Sequence, residues 1–211
     1  MKISELQITK DVKQSHADWK TILEKNGWYL LGKGKEGIVA EHPKREYVLK
    51  IWHKPSRYEW FVEFVRQNQS NPHVPMFSRY TAPIPGTDYL YTRMEKLKPI
   101  LKEPLAKLYK PELIWLWAVG QTHGVDTITD SNEYMVKDWI YQYGIRLEPD
   151  TNIKEDLQDL WTKFGYPDAS WVDISDKIVL AAKKHGIKRF DLHHENFMTR
   201  SQTLVITDPW F

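Results

Sequence analysis

The chain has 211 residues, a formal net charge of +2, no cysteine, and 41% hydrophobic against 27% charged residues. That length buries a core without disulfide or metal staples, the composition lies outside the range of disordered chains, and the lack of thiols excludes a disulfide framework, cysteine nucleophiles and thiolate zinc sites. The near-neutral charge gives no overall field for nucleic acid or an anionic membrane, no apolar run reaches the roughly 18 residues of a membrane helix, and MKISELQITKDVKQ lacks the apolar centre of a signal peptide; a cytoplasmic protein with neither partner is expected.

Between Ser15 and Asn26, Trp19, Ile22 and Leu23 recur at helical spacing, and Gly27 stands where a C-terminal cap would sit. The period then changes. Tyr29 to Leu31, Ile38 to Ala40 and Tyr47 to Trp52 are short apolar runs split by a glycine cluster and by His42-Pro43, which predicts three successive strands. Tyr58, Phe61, Val62 and Val65 follow an i, i+3, i+4, i+7 pattern, so Arg57 to Gln67 reads as a helix closed by Asn71-Pro72 and Pro75. Met76 to Tyr80 and Tyr89 to Met94 read as strands around the turn cluster Pro83, Pro85, Gly86 and Asp88. After Lys98-Pro99 the pattern is helical, near Pro104 to His123, Ser131 to Tyr143, Ile153 to Phe164 and Ile174 to His185. Phe197-Met198 and Leu204 to Ile206 then form a hairpin across Arg200-Ser201-Gln202. The expected architecture is α+β in two lobes: residues 1–97, an antiparallel β-rich lobe with one inserted helix, and residues 98–211, a mainly helical lobe with the hairpin. The Trp-rich stretch Leu113 to Val119 is expected in the core of the second lobe.

Three patterns carry chemistry. Gly32-Lys33-Gly34-Lys35-Glu36-Gly37-Ile38-Val39 matches G-x-G-x-x-G-x-V. In dinucleotide-binding folds such glycines open a helix, but here Pro43 and the following strand-like run favour a hairpin. Glycines let a backbone approach phosphate closely, and amides in such a turn can donate to anionic oxygens. In Val48-Leu49-Lys50-Ile51, an ammonium within an apolar strand needs an anionic partner or an outward position; a phosphate and a carboxylate together would serve. Glu59 and Glu63 lie one turn apart on the next helix. Glu63, set among Phe61, Val62, Phe64 and Val65, is expected to point inward as that partner, with Glu59 left open. Finally, Asp191-Leu192-His193-His194-Glu195-Asn196 precedes Asp208 at the end of an apolar strand. One carboxylate as base, with Asn196 and Asp208 as oxygen ligands for a hard cation, fits phosphoryl transfer to a hydroxyl.

The segments LGKGKEGIVAEHP, VLKIW, YTRMEKL, FDLHHENFM and VITDP together resemble protein-kinase-like phosphotransferases over nearly the whole chain, most of all the small serine/threonine protein kinases of tailed bacteriophages. The resemblance implies ATP and Mg2+ as cofactors, bound between the lobes. It places Gly32, Gly34, Gly37, Val39, Lys50 and Glu63 at the nucleotide, Met94 as gatekeeper, and Glu95 to Leu97 as the hinge that holds adenine. Asp191, Lys50, Asn196 and His193 would form the catalytic set, Asn196 and Asp208 the metal ligands, and proteins of a host cell the substrates, met in the host cytoplasm. Asp-Leu-His also resembles aminoglycoside and choline kinases, so a small-molecule acceptor is the alternative. A third reading is an inactive kinase fold that binds host proteins, against which Lys50, Asp191, Asn196 and Asp208 count. Three departures stand out. Arg189-Phe190-Asp191 replaces His-Arg-Asp, and His193 stands where typical protein kinases carry lysine. Asp208-Pro209-Trp210-Phe211 replaces the run from Asp-Phe-Gly into an activation segment. A minimal fold lacking that segment is expected, with Trp210 or Phe211 packed on the helical lobe.

Overall fold

The computed structural model describes residues 16–34, 37–125, 152–190 and 194–210. The chain forms two compact units: one ends at Arg66 and resumes over Met76–Lys96, and the other comprises Gln67–Pro75 and the chain from Leu97 onward.

The first unit is built on an antiparallel sheet of order β1-β2-β3-β5-β4, with β1 Tyr29–Lys33, β2 Gly37–Glu41, β3 Tyr47–His53, β4 Ala82–Pro83 and β5 Tyr89–Glu95. Alternation along the strands separates its two faces. Ile38, Ala40, Leu49, Ile51 and Tyr91 share one, buried against Trp19, Ile22 and Leu23 of helix α1, His16–Lys25. Gly27, at φ 76°, turns the chain from α1 so that the buried Trp28 joins the same cluster. On the opposite face, Lys50 and Trp52 meet α2, Tyr58–Gln67, whose Tyr58, Phe61, Val62, Phe64 and Val65 are buried. The Trp52 and Tyr58 rings lie 5.2 Å apart. Arg66 pins the last turn of α2: Nε donates to the Ser78 carbonyl at 3.0 Å, and Nη2 to the Thr81 and Thr92 hydroxyls at 3.0 and 3.3 Å. β1 is the outer strand, exposed along its whole length, and its register with β2 slips between Leu30 and Gly32, which leaves Leu31 as an extra residue.

The run from Met76 to Tyr80 is not the expected strand. It meets β5 in one bridge, Phe77 with Met94, and the paired strand is Ala82–Pro83. The run's backbone bonds to β5 stop after the Ser78 amide, which donates to the Arg93 carbonyl at 2.9 Å; beyond it the Ser78 hydroxyl donates to the Tyr80 carbonyl and Arg66 takes the Ser78 carbonyl, so side-chain bonds end the short ladder.

In the second unit, the two-residue strand β6, Lys98–Pro99, which the sequence pattern did not reveal, pairs with β7, Phe197–Arg200, which pairs in turn with β8, Thr203–Ile206. The single helix expected over Pro104 to His123 is two, α3 Lys102–Leu108 and α4 Lys110–His123, because Pro111 lacks an N–H and favours a helix start. The helix expected over Ile153 to Phe164 is likewise divided at the buried Leu157 into α5, Ile153–Asp156, and α6, Gln158–Phe164. Helix α7, Ala169–Lys184, starts earlier than expected, since the Asp168 carboxylate caps it by accepting the Ser170 N–H at 2.8 Å. The helix expected from Ser131 to Tyr143 lies outside the described residues. Helix α4 buries every residue from Leu113 to Gly120, the mark of a core helix apolar on all sides. The Trp115 ring lies there 5.9 Å from Trp161, tilted, and 5.5 Å from Tyr166, edge-on, and the Trp171 indole of α7 donates to the Glu112 carbonyl. Trp210 is buried, bridged to Phe190 and 6.3 Å from the His185 ring; Phe211 lies outside the described residues. No described helix is long and apolar enough to cross a membrane.

Burial pushes the Glu112 carboxyl above the usual range, and the nearby Asp168 charge adds to that shift. A carboxyl with a raised folded pKa binds its proton more tightly folded than unfolded, so its ionisation costs stability at neutral pH and the cost disappears below the unfolded value of about 4.3. Glu112→Gln is therefore expected to raise the thermal midpoint at pH 7 and to leave it unchanged near pH 4. A midpoint gain independent of pH would contradict this account.

Candidate active site

The first unit brings several of the expected nucleotide residues into one row. Gly32 pairs with Val39, Val39 with Lys50 and Lys50 with Thr92, and paired residues share a face, so Gly32, Val39 and Lys50 stand side by side across three strands on the face that α2 covers. Val48 and Met94 form the next pair on the same face, two residues along, both buried. The glycine segment is a hairpin, with the Gly34 amide donating to the Gly37 carbonyl at 2.8 Å. That amide is thus committed within the turn; Lys35 and Glu36 at its tip lie outside the described residues.

The three glycines differ in what demands them. A Cβ on Gly37 would stand 2.5 Å from the Ile51 carbonyl oxygen, so the sheet itself requires glycine there. A Cβ on Gly32 meets nothing within 4 Å, and one on Gly34 only the Gly37 oxygen at 3.9 Å. Neither has the left-handed backbone that favours glycine. Packing among the described residues makes no demand for glycine at these two positions.

The Lys50 ammonium lies 4.5 Å over the Tyr58 ring. Glu63 is exposed and Glu59 half-buried, contrary to the inward position expected for Glu63. Its apolar neighbours mislead because adjacent helix residues point about 100° apart, so Val62 and Phe64 can be buried while Glu63 is not. The expected common side does hold: Glu59 and Glu63 line one open pocket of about 500 Å³ together with Pro55, Ser56, Arg57 and Trp60. At the end of β5, the Glu95 amide donates to the Met76 carbonyl at 2.9 Å while its carboxylate accepts the Met76 amide at 2.7 Å. Lys96 pairs with Glu41 at 2.7 Å, and Leu97 belongs to the second unit.

In the second unit, Asn196 closes a short 3-10 turn, His194–Asn196, immediately before β7. Phe197 pairs with Ile206, and the Thr207 amide and hydroxyl both donate to the Asn196 carbonyl, at 2.9 and 3.0 Å. Those bonds hold the backbone of Asn196 beside that of Thr207, the residue before Asp208. Asp191 and His193 lie outside the described residues. Among the described residues no three His, Asp or Glu side chains are grouped to hold a metal ion. The carboxylate of Asp208 and the carboxamide of Asn196 are donor types that suit magnesium, whose shell is commonly completed by waters and phosphate oxygens.

Sequence reading missed Asn71 to Val74, taken only as a helix breaker, although Arg200 donates to the Pro72 and Val74 carbonyls and His73 bonds to β8. A histidine between two prolines in an otherwise breaker-like run was the available signal.

No protein-family model and no curated protein matches the chain. Among solved structures it is similar to the streptomycin-ATP-APH(2")-IIa ternary complex, at 14% identity and a TM-score of 0.34, over 93% of this chain and 71% of that one. At that score the likeness decides neither fold nor function. The molecule's own element order is informative: an antiparallel five-stranded sheet with one helix inserted after β3, then helices and a hairpin, is the α+β arrangement expected of a protein-kinase-like fold.

Proposed function

We propose that the chain is an ATP-dependent phosphotransferase, a protein-kinase-like enzyme that transfers phosphate to serine or threonine hydroxyls of proteins, those of a host cell by its resemblance to the phage enzymes. The observation that carries the reading is the row of Gly32, Val39 and Lys50 across one sheet face, with open space where a Cβ would stand on Gly32 and Gly34. In this reading, Val39 and Met94 pack against the adenine, backbone groups of Glu95 to Leu97 hold its edge, and Lys50 binds phosphate oxygens while a carboxylate of Glu59 or Glu63 balances its charge. Magnesium held by Asn196 and Asp208 would neutralise phosphate charge. Asp191 orients the acceptor hydroxyl and takes its proton as the new P–O bond forms and the bond to ADP breaks. His193 belongs to this catalytic set by the resemblance alone.

The test is the thermal midpoint with and without Mg-ATP, followed by transfer of labelled γ-phosphate to host-cell lysate, to aminoglycosides and to choline. A ligand at a hundred times its Kd stabilises by about 2.7 kcal/mol. A clear upward shift is expected in the wild type and none in Lys50→Ala or Asp208→Ala with folding intact. An unchanged shift in both variants would remove the nucleotide site. Label entering only the small molecules would replace the protein acceptor by the alternative.

A further inference from the structure

We propose that His73 is a positioning residue for the metal hairpin: it fixes β8, which ends two residues before Asp208. The inference rests on the phosphotransferase reading, since it concerns the placement of a metal ligand in that site.

His73 is buried, and its ring Nδ1 lies 2.7 Å from the Leu204 carbonyl oxygen. A carbonyl only accepts, so Nδ1 carries the proton. The His73 backbone carbonyl in turn accepts the Ile206 amide at 2.9 Å. One residue therefore grips β8 twice, at Leu204 through its side chain and at Ile206 through its main chain. β8 is the outer strand of its three-stranded sheet, paired with β7 on one side, and His73 supplies bonds on the other. The next residue, Thr207, makes the two bonds to Asn196, and Asp208 follows.

The support for His73 is itself rigid. The Asn71 carboxamide accepts the His73 amide at 2.9 Å and donates to the Ser170 carbonyl at 2.7 Å, which ties the segment to the start of α7. Arg200 of β7 donates to the carbonyls on both sides of His73, Pro72 at 2.6 Å and Val74 at 3.0 Å. The imidazole stands edge-on to Trp171 at 5.1 Å, and its Nε2 lies 3.7 Å from the Asp168 carboxylate. A ring bonded at Nδ1 and bounded by an indole and a carboxylate has one orientation, and that orientation points its donor at β8. Residues that orient metal ligands from behind commonly matter by about 10- to 100-fold in metal affinity.

The experiment compares ATP affinity in Mg2+ with ATP affinity in EDTA, for the full chain and for His73→Asn, His73→Leu, His73→Gln and Asp208→Asn. Asn places its amide nitrogen close to where Nδ1 stands, Leu removes the donor, and Gln moves it one carbon further away. The wild type is expected to bind ATP more tightly in Mg2+. His73→Leu should lose about tenfold or more of that metal-dependent gain, with affinity in EDTA unchanged and faster hydrogen exchange at the Ile206 amide. His73→Asn should keep the gain. His73→Gln, which retains polarity in the buried site, should fail as Leu does and serves if the Leu variant does not fold. A full gain in the donor-less variants, beside its loss in Asp208→Asn, would overturn the role of His73 alone. Equal loss in Asn and Leu would overturn the donor argument. No metal-dependent gain in the wild type would overturn the phosphotransferase reading, and this role with it.

Discussion

Gly37→Ala should destabilise the first unit by about 2 kcal/mol or more, while Gly32→Ala and Gly34→Ala should fold as the wild type does and bind ATP less tightly. The distinction follows from what each new methyl would meet. At Gly37 it would stand 2.5 Å from the Ile51 carbonyl oxygen, a backbone atom of the neighbouring strand that cannot move without opening the pairing of Gly37 with Trp52. Ile51 is fully buried on the α1 side, so the displaced strand would disturb the cluster that joins α1 to the sheet. At Gly32 and Gly34 the same methyl meets no described atom within van der Waals contact except the Gly37 oxygen at 3.9 Å, and the fold has no reason to object. Any loss at those positions must then come from what approaches them. Thermal melts and ATP titrations of the three variants decide the matter. Unaltered ATP affinity in both Gly32→Ala and Gly34→Ala would show that the open space there is not a phosphate cradle.

Asp191→Asn should lower phosphate transfer by about 10²- to 10⁴-fold, the range for removal of a general base, with ATP affinity nearly unchanged. The carboxylate's proposed task is to accept the proton of the attacking hydroxyl, and an amide keeps the size while losing the basicity. Single-turnover transfer and equilibrium ATP binding, measured on the same preparation, separate the two effects. Equal transfer by the variant would remove Asp191 from this role, and a parallel loss of ATP affinity would make it a nucleotide ligand instead.

How legible these features were in the sequence depends on how local their causes are. The faces of the sheet follow from period-two alternation, so Lys50 could be placed in a strand from the pattern alone, and the hairpin through Gly34 and Gly37 followed from Pro43 and the run after it. Helix α2 was legible from its stripe of Tyr58, Phe61, Val62 and Val65, but the direction of Glu63 was not, because it depends on the angle between successive residues rather than on how apolar the neighbours are. The break at Tyr109 was available in Pro111 and went unread under a continuous apolar pattern. Strand β6 and the grip of His73 on β8 had no local signal. Lys98 and Pro99 are strand residues only because Thr199 and Met198 lie opposite them, and the ring of His73 finds its acceptor in Leu204, far along the chain.

The extra residue in β1 bears on how the molecule behaves in a crowded solution. β1 ends the sheet with Tyr29, Leu30 and Leu31 exposed, and an apolar outer strand of this kind is a template on which another extended chain can add itself. Leu31 interrupts the register between Leu30 and Gly32, and a bulge of this sort sharpens the local twist and breaks the even spacing of amides and carbonyls that an incoming strand would have to match. A straight β1 of the same composition would invite fibre-like stacking. The irregularity makes this exposed apolar strand a poorer template for such addition.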